Sequence, residues 1–441
     1  MQNLPEYIDW FRHSSSYINA HRKKVFVVLL PGEALEHPNF SNIVHDITLL
    51  NSLGVKLVLV HGSRPQINAA LQEAGIESRY HKGLRITDTE SLQVVKKIIG
   101  SLSIDIEAVF SMGLANSPMH GADLTLSRGN YITARPLGVL DGIDHALTGV
   151  VRKVNTAAIQ QHLEGHNIVL LNNLGYSPTG EVFNLSAEEV ATEVAVALHA
   201  EKLILFIPQQ GIVDENGNMV STLSPASAQN VLNAVHARQE NTQNGIAQAL
   251  SAALKACSRK VARSHLISFA HNGALIEELF TRDGSGTLVS QENFEVLRPA
   301  TIEDVGGLLE LITPLEEAGV LVHRSRELLE AEIGFFFVIE REGMIIACAA
   351  LYPLDEQCGE IACIAIHKDY QDTGRGKDLL AALEAHAKRS GLSRVIVLTT
   401  QTTHWFLEKG FTPIEISELP EKKKNMYNYQ RNSKALAKSL N

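Results

Sequence analysis

Short apolar runs alternate with longer amphipathic stretches over positions 25 to about 290: VFVVLL and then a helical pattern to Leu53, KLVLV and then a helical pattern to Ala74, and later NIVLLNN and KLILFI. This rhythm predicts parallel strands joined by crossover helices. In open α/β sheets ligands lie at the carboxyl ends of strands, so turns such as His61 to Pro65 are expected to line a site. Ahead of the first strand, Leu4, Tyr7, Ile8, Phe11 and Ile18 fall near helical spacing. An amphipathic N-terminal helix is expected there, its apolar stripe covered by its own domain or by a neighbouring subunit. The polar stretch 235–248 reads as a solvated loop.

Near GSGTLVSQENFEV, residues 284–296, the helical pattern fails and then restarts as EVLRPATIEDVGGLLELI. A domain boundary is expected here. The second unit opens with consecutive strand patterns, FFFVIERE, a turn at Gly343, MIIACAALYP and EIACIAIH, and continues as helix, strand and helix, an α+β order. From Glu421 the tail carries six Lys or Arg against one Glu. It reads as a solvated surface helix, or else as a basic tail beside an anionic ligand. No internal repeat or low-complexity tract interrupts the pattern. The ranges are 1–24 for the N-terminal helix, 25–288 for the first domain, 289–295 for a linker and 296–441 for the second domain.

Composition narrows the function classes. The 441 residues fit about two or three domains, and 45% hydrophobic with 20% charged residues is ordinary for a globular chain. A formal net charge of -10 gives no general basic field for nucleic acid or an anionic membrane. The longest apolar runs fall far short of the roughly 18 to 20 residues needed to span a bilayer. The start, MQNLPEYIDWF, lacks a basic leader and an apolar core, so a cytoplasmic location is expected. Four cysteines without a CxxC pair fit a reducing compartment, and no metal site is read.

The candidate chemistry lies in the second domain. After the strand ending at Ile366 come Gln371, Asp372, Thr373, Gly374, Arg375 and Gly376, and then a helix with Leu379, Leu380, Leu383 and Ala387 on one face. Glycines at a strand-to-helix turn expose backbone N–H groups at the positive end of the helix dipole, an anion cradle. The hexapeptide alone is a weak signal. Its context, with RVIVLTT and THWFLEKGF following, resembles the GNAT-type N-acetyltransferases. That resemblance implies that residues 371–376 grip the pyrophosphate of acetyl-coenzyme A, and that backbone groups of Ile364, Ala365 and Ile366 hold its pantetheine arm. It also implies that Glu360, at the head of the same strand, is the base that deprotonates an amine. Cys363 reads as pocket wall rather than nucleophile. Thr399 and Thr400 end the next strand, where a hydroxyl could donate to the departing thiolate or bind substrate, and Trp405 and Phe406 read as core.

Through VFVVLLPGEAL, LVLVHGSRPQIN and FNLSAEEVATEVAVAL the first domain resembles the amino-acid kinase fold. In that family a Lys on the first strand touches the transferred phosphoryl group. Here Leu29 takes its place, Pro31 replaces the first turn glycine, Ser63 and Arg64 interrupt the glycine loop, and a later Lys near LSPASAQN is missing. ATP chemistry is therefore expected to be lost. An idle kinase-like domain followed by an acetyltransferase resembles the bacterial N-acetylglutamate synthases over essentially the whole chain. The resemblance implies acetyl transfer from acetyl-coenzyme A to L-glutamate, the first step of arginine biosynthesis, with feedback inhibition by L-arginine and a homohexameric assembly. Arg324, Arg431 and the backbone at Val322 and Cys363 match the glutamate pocket; a dicarboxylate suits arginine partners. The inhibitor site maps to Tyr17, Lys202, His265, Glu278, Gly284 and Gly286. Two other classes stay open: an acylglutamate or other amino-acid kinase, and an arginine-sensing binding protein with a vestigial acetyltransferase.

Overall fold

The structure, a computed structural model, describes residues 6–112, 120–122, 124–213, 217–237, 245–291, 295–341, 343–371, 374–425, 427–429 and 431–440. The chain divides into two compact units, residues 1–292 and 293–441.

In the first unit α1 (Glu6–His13) and α2 (Ser15–His21) precede β1 (Val25–Leu30), α3 (Phe40–Ser52), β2 (Lys56–His61), α4 (Arg64–Glu73) and α5 (Thr89–Phe110). There follow β3 (Leu126–Ser127), β4 (Ile132–Pro136), β5 (Gly149–Val154), β6 (Ile168–Leu171), β7 (Leu174–Tyr176), β8 (Val182–Asn184), α6 (Ala187–Ala197), β9 (Lys202–Ile207) and β10 (Thr222–Leu223). The unit ends with α7 (Gly245–Ser258), β11 (Arg263–Ser268), α8 (Ala274–Phe280) and β12 (Thr287–Ser290). The main sheet runs β10-β12-β11-β9-β1-β2-β6-β3 and is parallel except where β12 returns antiparallel to β11. Val27 and Leu29 face one core cluster while Phe26, Val28 and Leu30 face the other. That two-sided burial is why the runs are continuously apolar rather than alternating. A second sheet, β8-β7-β4-β5, is smaller. Ser186 and Asp88 cap α6 and α5 by accepting from the N–H groups of Glu189 and Ser91.

The N-terminal segment is two helices rather than one. Ser14 sits between them and donates its hydroxyl to Trp10 O at 2.9 Å. Tyr17 and Ile18 pack on the sheet's core, whereas Phe11 is 63% exposed. Helix occupies 235–237 and 245–248, at both ends of the stretch read as a loop, and its middle lies outside the described residues.

The second unit comprises β13 (Glu295–Pro299), α9 (Val305–Glu317), α10 (Arg326–Glu332), β14 (Phe336–Arg341), β15 (Met344–Pro353), β16 (Cys358–Ile366), α11 (Arg375–Arg389), β17 (Arg394–Thr399), α12 (Thr403–Glu408), β18 (Thr412–Pro413), α13 (Glu421–Lys424) and β19 (Lys434–Ser439). Its single sheet runs β13-β14-β15-β16-β17-β19-β18. The β14–β15 hairpin turns at Gly343, whose φ of +80° suits glycine. Helix α11 covers one face of the sheet, and α9 and α10 cover the other. The tail is not a surface helix. Among the tail's described residues only 421–424 are helical, and Lys434–Ser439 form a strand between β17 and β18 with Leu436 fully buried. The Ala435-Leu436-Ala437 run has strand periodicity too short to stand out among lysines.

Candidate active site

Two irregularities of β16 make the site. The parallel ladder between β16 and β17 ends at Ile361↔Val397, yet β16 runs on to Ile366 and β17 to Thr399, where it pairs only with β19. The two strands therefore diverge, and the backbone edge of residues 362–366 on that side has no ladder partner. A bulge interrupts the β15–β16 pairing between Cys348 and Ala350, and Cys363 takes φ +53° there. The extra residue reverses the alternation. Cys358 packs with the tail's cluster and Cys363 and Ala365 with the α9–α10 cluster on the same face of the sheet, while Ile361, Ile364 and Ile366 face α11. The sequence pattern alone does not show this parity change.

Below the gap, Gly374 opens α11 at φ +88°. A Cβ on Gly376 would lie 3.1 Å from Ile366 Cδ1 and 3.2 Å from Trp405 Cζ2, so the first helical turn sits close against the strand end. Gln371 donates its side-chain amide to Ile366 O at 3.2 Å. Asp372 and Thr373 lie outside the described residues. The Arg375 side chain does not face this turn's ligand side: its Nε donates to Glu295 Oε2 at 2.8 Å and the guanidinium lies 5.1 Å from the Tyr370 ring centroid. Of Arg375, the backbone is what the cradle can use. Phe406 is buried and Trp405 packs against the same cluster. Thr399 Oγ1 accepts from the Thr402 backbone N–H at 3.0 Å and lies 2.8 Å from Thr402 Oγ1, which closes the turn into α12.

On the opposite face Glu360 is only 7% exposed, and its Oε2 pairs with Lys423 Nζ at 2.7 Å. Tyr352 stands across from Glu360 in the ladder. Its hydroxyl donates to Glu332 Oε2 at 2.7 Å, and burial raises the phenol well above its usual range. Arg324 donates from Nη1 to Val322 O at 2.9 Å, and its backbone N–H donates to Glu316 Oε1 at 3.0 Å. Arg431 donates from Nη2 to the carbonyls of Val320 and Gly319. Two guanidinium groups thus converge on the turn 319–322, and among the described residues neither has a salt bridge to a carboxylate. Arg326 instead pairs with Glu330 on the outside of α10. A hydrogen bond from the Cys348 thiol, with Arg324 nearby, holds the Cys363 thiol below its ordinary range. Lys423, Tyr352 and Glu316 escaped the sequence reading. Only the basic run EKKK hinted at the first of them.

The expected inhibitor residues also cluster, within the first unit. Lys202 Nζ lies 3.2 Å from His265 Nε2, and His265 Nδ1 lies 2.6 Å from Glu278 Oε1. Glu278 Oε2 accepts from the N–H groups of Ser285 at 2.7 Å and Gly286 at 2.9 Å. A Cβ on Gly284 would sit 2.5 Å from that oxygen, and one on Gly286 would sit 2.2 Å from Leu266 O. The Tyr17 ring stands 6.3 Å from His21, whose Nε2 reaches Leu279 O at 2.8 Å. At the carboxyl ends of β1 and β2 a cavity is lined by Leu29, Pro31, Ser63, Arg64, Arg85 and Asn173, among others. Leu29 is 2% exposed and presents an alkyl group, not a cation, to this cavity. Among the described residues no group of three or more His, Cys, Asp or Glu could hold a metal, and no helix is long and apolar enough to cross a membrane.

The strands β16 and β17 splay beside the glycine-opened start of α11 and leave a backbone edge free, and the family match places the second unit among the GNAT acyltransferases. The acetyltransferase (GNAT) family profile matches residues 307–411, and the amino acid kinase family profile matches residues 24–268. An amino-acid acetyltransferase of Pseudomonas syringae pv. syringae is 55% identical over 438 residues, covering 99% of this chain and 100% of the relative. One from Ectopseudomonas mendocina (strain ymp) is also 55% identical over 438 residues with the same coverage. The crystal structure of N-acetylglutamate synthase from Neisseria gonorrhoeae complexed with coenzyme A and L-arginine matches at a TM-score of 0.84 and 36% identity, over 98% of this chain and 99% of that one. The complex of that enzyme with coenzyme A and N-acetyl-glutamate matches at 0.61 and 37%, over 99% of both chains. This chain belongs to the amino-acid acetyltransferase family and is an acyltransferase that follows an amino-acid-kinase-like domain in sequence.

Proposed function

We propose that the enzyme transfers the acetyl group of acetyl-coenzyme A to the α-amino group of L-glutamate, and that L-arginine inhibits it from the Lys202–His265–Glu278 cluster. The observation that carries the substrate is the pair Arg324 and Arg431, two cations converging on one turn, neither of them in a salt bridge to a carboxylate among the described residues. Charge-assisted, bidentate contacts from arginine suit the two carboxylates of glutamate. In this reading the backbone at Val322 and Cys363 completes the pocket.

The thioester lies along the open edge of Ile364, Ala365 and Ile366, and the pyrophosphate lies on the turn 371–376. Near neutral pH an amino acid's nitrogen carries a proton it must lose before attack. Glu360 accepts that proton, directly or through a water. The nitrogen then bonds to the carbonyl carbon, the carbon–sulfur bond breaks, the nitrogen gives up its second proton, and the thiolate takes up a proton relayed through the Thr399 hydroxyl or a water, which is itself reprotonated from solvent. Backbone N–H groups of β16 polarise the carbonyl. The coenzyme A, L-arginine and N-acetyl-glutamate bound in the Neisseria gonorrhoeae complexes support this assignment. We further propose a cytoplasmic homo-oligomer, hexameric by family resemblance, in which the exposed Trp10 and Phe11 of α1 supply contact area.

The test is thiol release from acetyl-coenzyme A with L-glutamate as acceptor, with and without L-arginine, against a panel of other amines. Glutamate-dependent release suppressed by arginine is expected. Release with another amine alone would discard the substrate, and ATP turnover with acetylglutamate would revive a kinase reading despite Leu29.

A further inference from the structure

The run Glu421-Lys422-Lys423-Lys424 contains three consecutive lysines that behave differently. Lys422 is exposed, Lys424 pairs with its neighbour Glu421 at 3.4 Å, and Lys423 alone turns inward to Glu360 Oε2. Its side chain is 17% exposed and that of Glu360 is 9% exposed. A carboxylate so far from water costs several kcal/mol to keep charged unless a cation or several donors face it. Lys423 supplies the cation to one oxygen, Oε2.

The same contact fixes a longer segment. Leu419, Lys423, Tyr427 and Arg431, at intervals of four, all bond or pack inward. Leu419 and Tyr427 are buried beside Cys358 of β16, and the Tyr427 hydroxyl donates to Ser433 O at 2.6 Å. Arg431 then reaches the carbonyls of Gly319 and Val320. The segment spans from the candidate base at one end to the candidate acceptor turn at the other.

We propose that Lys423 is a positioning residue for acetyl transfer: it holds Glu360 Oε2, so that Oε1 is aimed at the acceptor amine, and it latches the 419–431 segment that brings Arg431 to the acceptor. This rests on the roles given above to Glu360 and Arg431. Lys423 touches neither substrate, so its effect passes through those two residues.

The experiment compares Lys423→Met and Lys423→Arg in the full-length enzyme, alone and in a Glu360→Gln background. Thiol-release kinetics are run against both substrates, with thermal unfolding alongside. Lys423→Met is expected to lower kcat at least tenfold and to raise the glutamate KM severalfold. The acetyl-coenzyme A KM should stay within twofold, and Lys423→Arg should recover most of the loss. In the Glu360→Gln background the same change should cost less than twofold in kcat, because residues acting through one group are not additive. Unchanged kcat and glutamate KM in Lys423→Met would overturn the proposal. So would an equal kcat loss in both backgrounds, or a loss shared by acetyl-coenzyme A binding with a lowered unfolding midpoint. Wild-type activity toward another amine but not glutamate would refute the substrate instead, and the same variants are then read on that amine. A wild type inactive toward every amine would sink both readings.

Discussion

His265 and Glu278 meet at 2.6 Å in a nearly water-free site, and Lys202 stands 3.2 Å from the far side of the same imidazole. Burial, with Lys202 next, pushes His265 down to about 4, so the ring is neutral near pH 7. A carboxylate only accepts, so Nδ1 carries the ring proton and Nε2 accepts from the ammonium. Burial works against Glu278, but the imidazole and the N–H groups of Ser285 and Gly286 hold its carboxyl below the usual range. One carboxylate thus orders the 284–286 turn from beneath.

Glu278→Gln replaces an acceptor by an amide whose NH₂ faces donors. The unmatched groups should cost about 1–3 kcal/mol, visible as a lowered unfolding midpoint. Arginine inhibition should vanish while uninhibited thiol release survives. Retained inhibition at wild-type arginine concentrations would place the inhibitor elsewhere.

Acid should weaken the first unit more than a typical α/β domain. His21, His61 and His265 are all pushed down by burial from an ordinary 6.5 to about 4. Between those values the unfolded chain binds protons that the folded chain refuses, so the stability present above 6.5 is lost as pH falls towards 4. Asp46, raised by burial to about 6, works oppositely, keeping a proton that the unfolded chain gives up nearer 3.8. Glu189, also raised by burial, acts with Asp46, but the three histidines outweigh these two carboxyls and leave a net loss. The unfolding midpoint should drop by several degrees between about pH 7 and pH 5; a flat profile would contradict the buried, neutral histidines.

Much of this was legible in the chain. Continuous apolar runs such as Val25–Leu30 encode a sheet covered on both faces, and the segment from Gln371 to Gly376 marks a strand-to-helix junction through its glycines together with the strand and helix patterns on either side. What escaped is long-range or parity-breaking. Lys423 meets Glu360 only because the tail becomes a strand beside β17, and no local periodicity records a partner so distant in sequence. The bulge at Cys363 inserts one residue into an otherwise alternating run, so the face of Glu360 relative to Ala365 cannot be counted along the sequence. Arg375 looked like part of the phosphate cradle because its partner, Glu295, lies in a strand far upstream.

Arg431→Ala removes one of the two guanidiniums facing the acceptor turn. Loss of a charge-assisted contact of about 1.5–3 kcal/mol corresponds to roughly a 10- to 100-fold rise in the glutamate KM. The acetyl-coenzyme A KM should hold. An unchanged glutamate titration would remove Arg431 from the pocket.

Gly376→Val inserts a branched side chain where even a Cβ would approach Ile366 and Trp405 within 3.2 Å or less. Overpacking of about 1–3 kcal/mol should push the first turn of α11 away from β16. Calorimetry should then show weakened acetyl-coenzyme A binding, with the glutamate KM at saturating cofactor little altered. Wild-type cofactor affinity would mean that the close approach at Gly376 serves packing alone.

Glu360→Gln keeps the shape of the side chain and removes its ability to take a proton. If the carboxylate is the base, kcat should fall about 10²- to 10⁴-fold while calorimetric binding of acetyl-coenzyme A stays near wild type, since the proposed cofactor contacts are residues 364–366 and the turn beyond. The substitution also deprives Lys423 of its charged partner, so a modest loss of stability is expected alongside. The two effects separate cleanly: a stability loss scales activity by the folded fraction and leaves the turnover of folded enzyme alone. Turnover per folded molecule within a fewfold of wild type would remove Glu360 from the chemistry, whatever the unfolding midpoint.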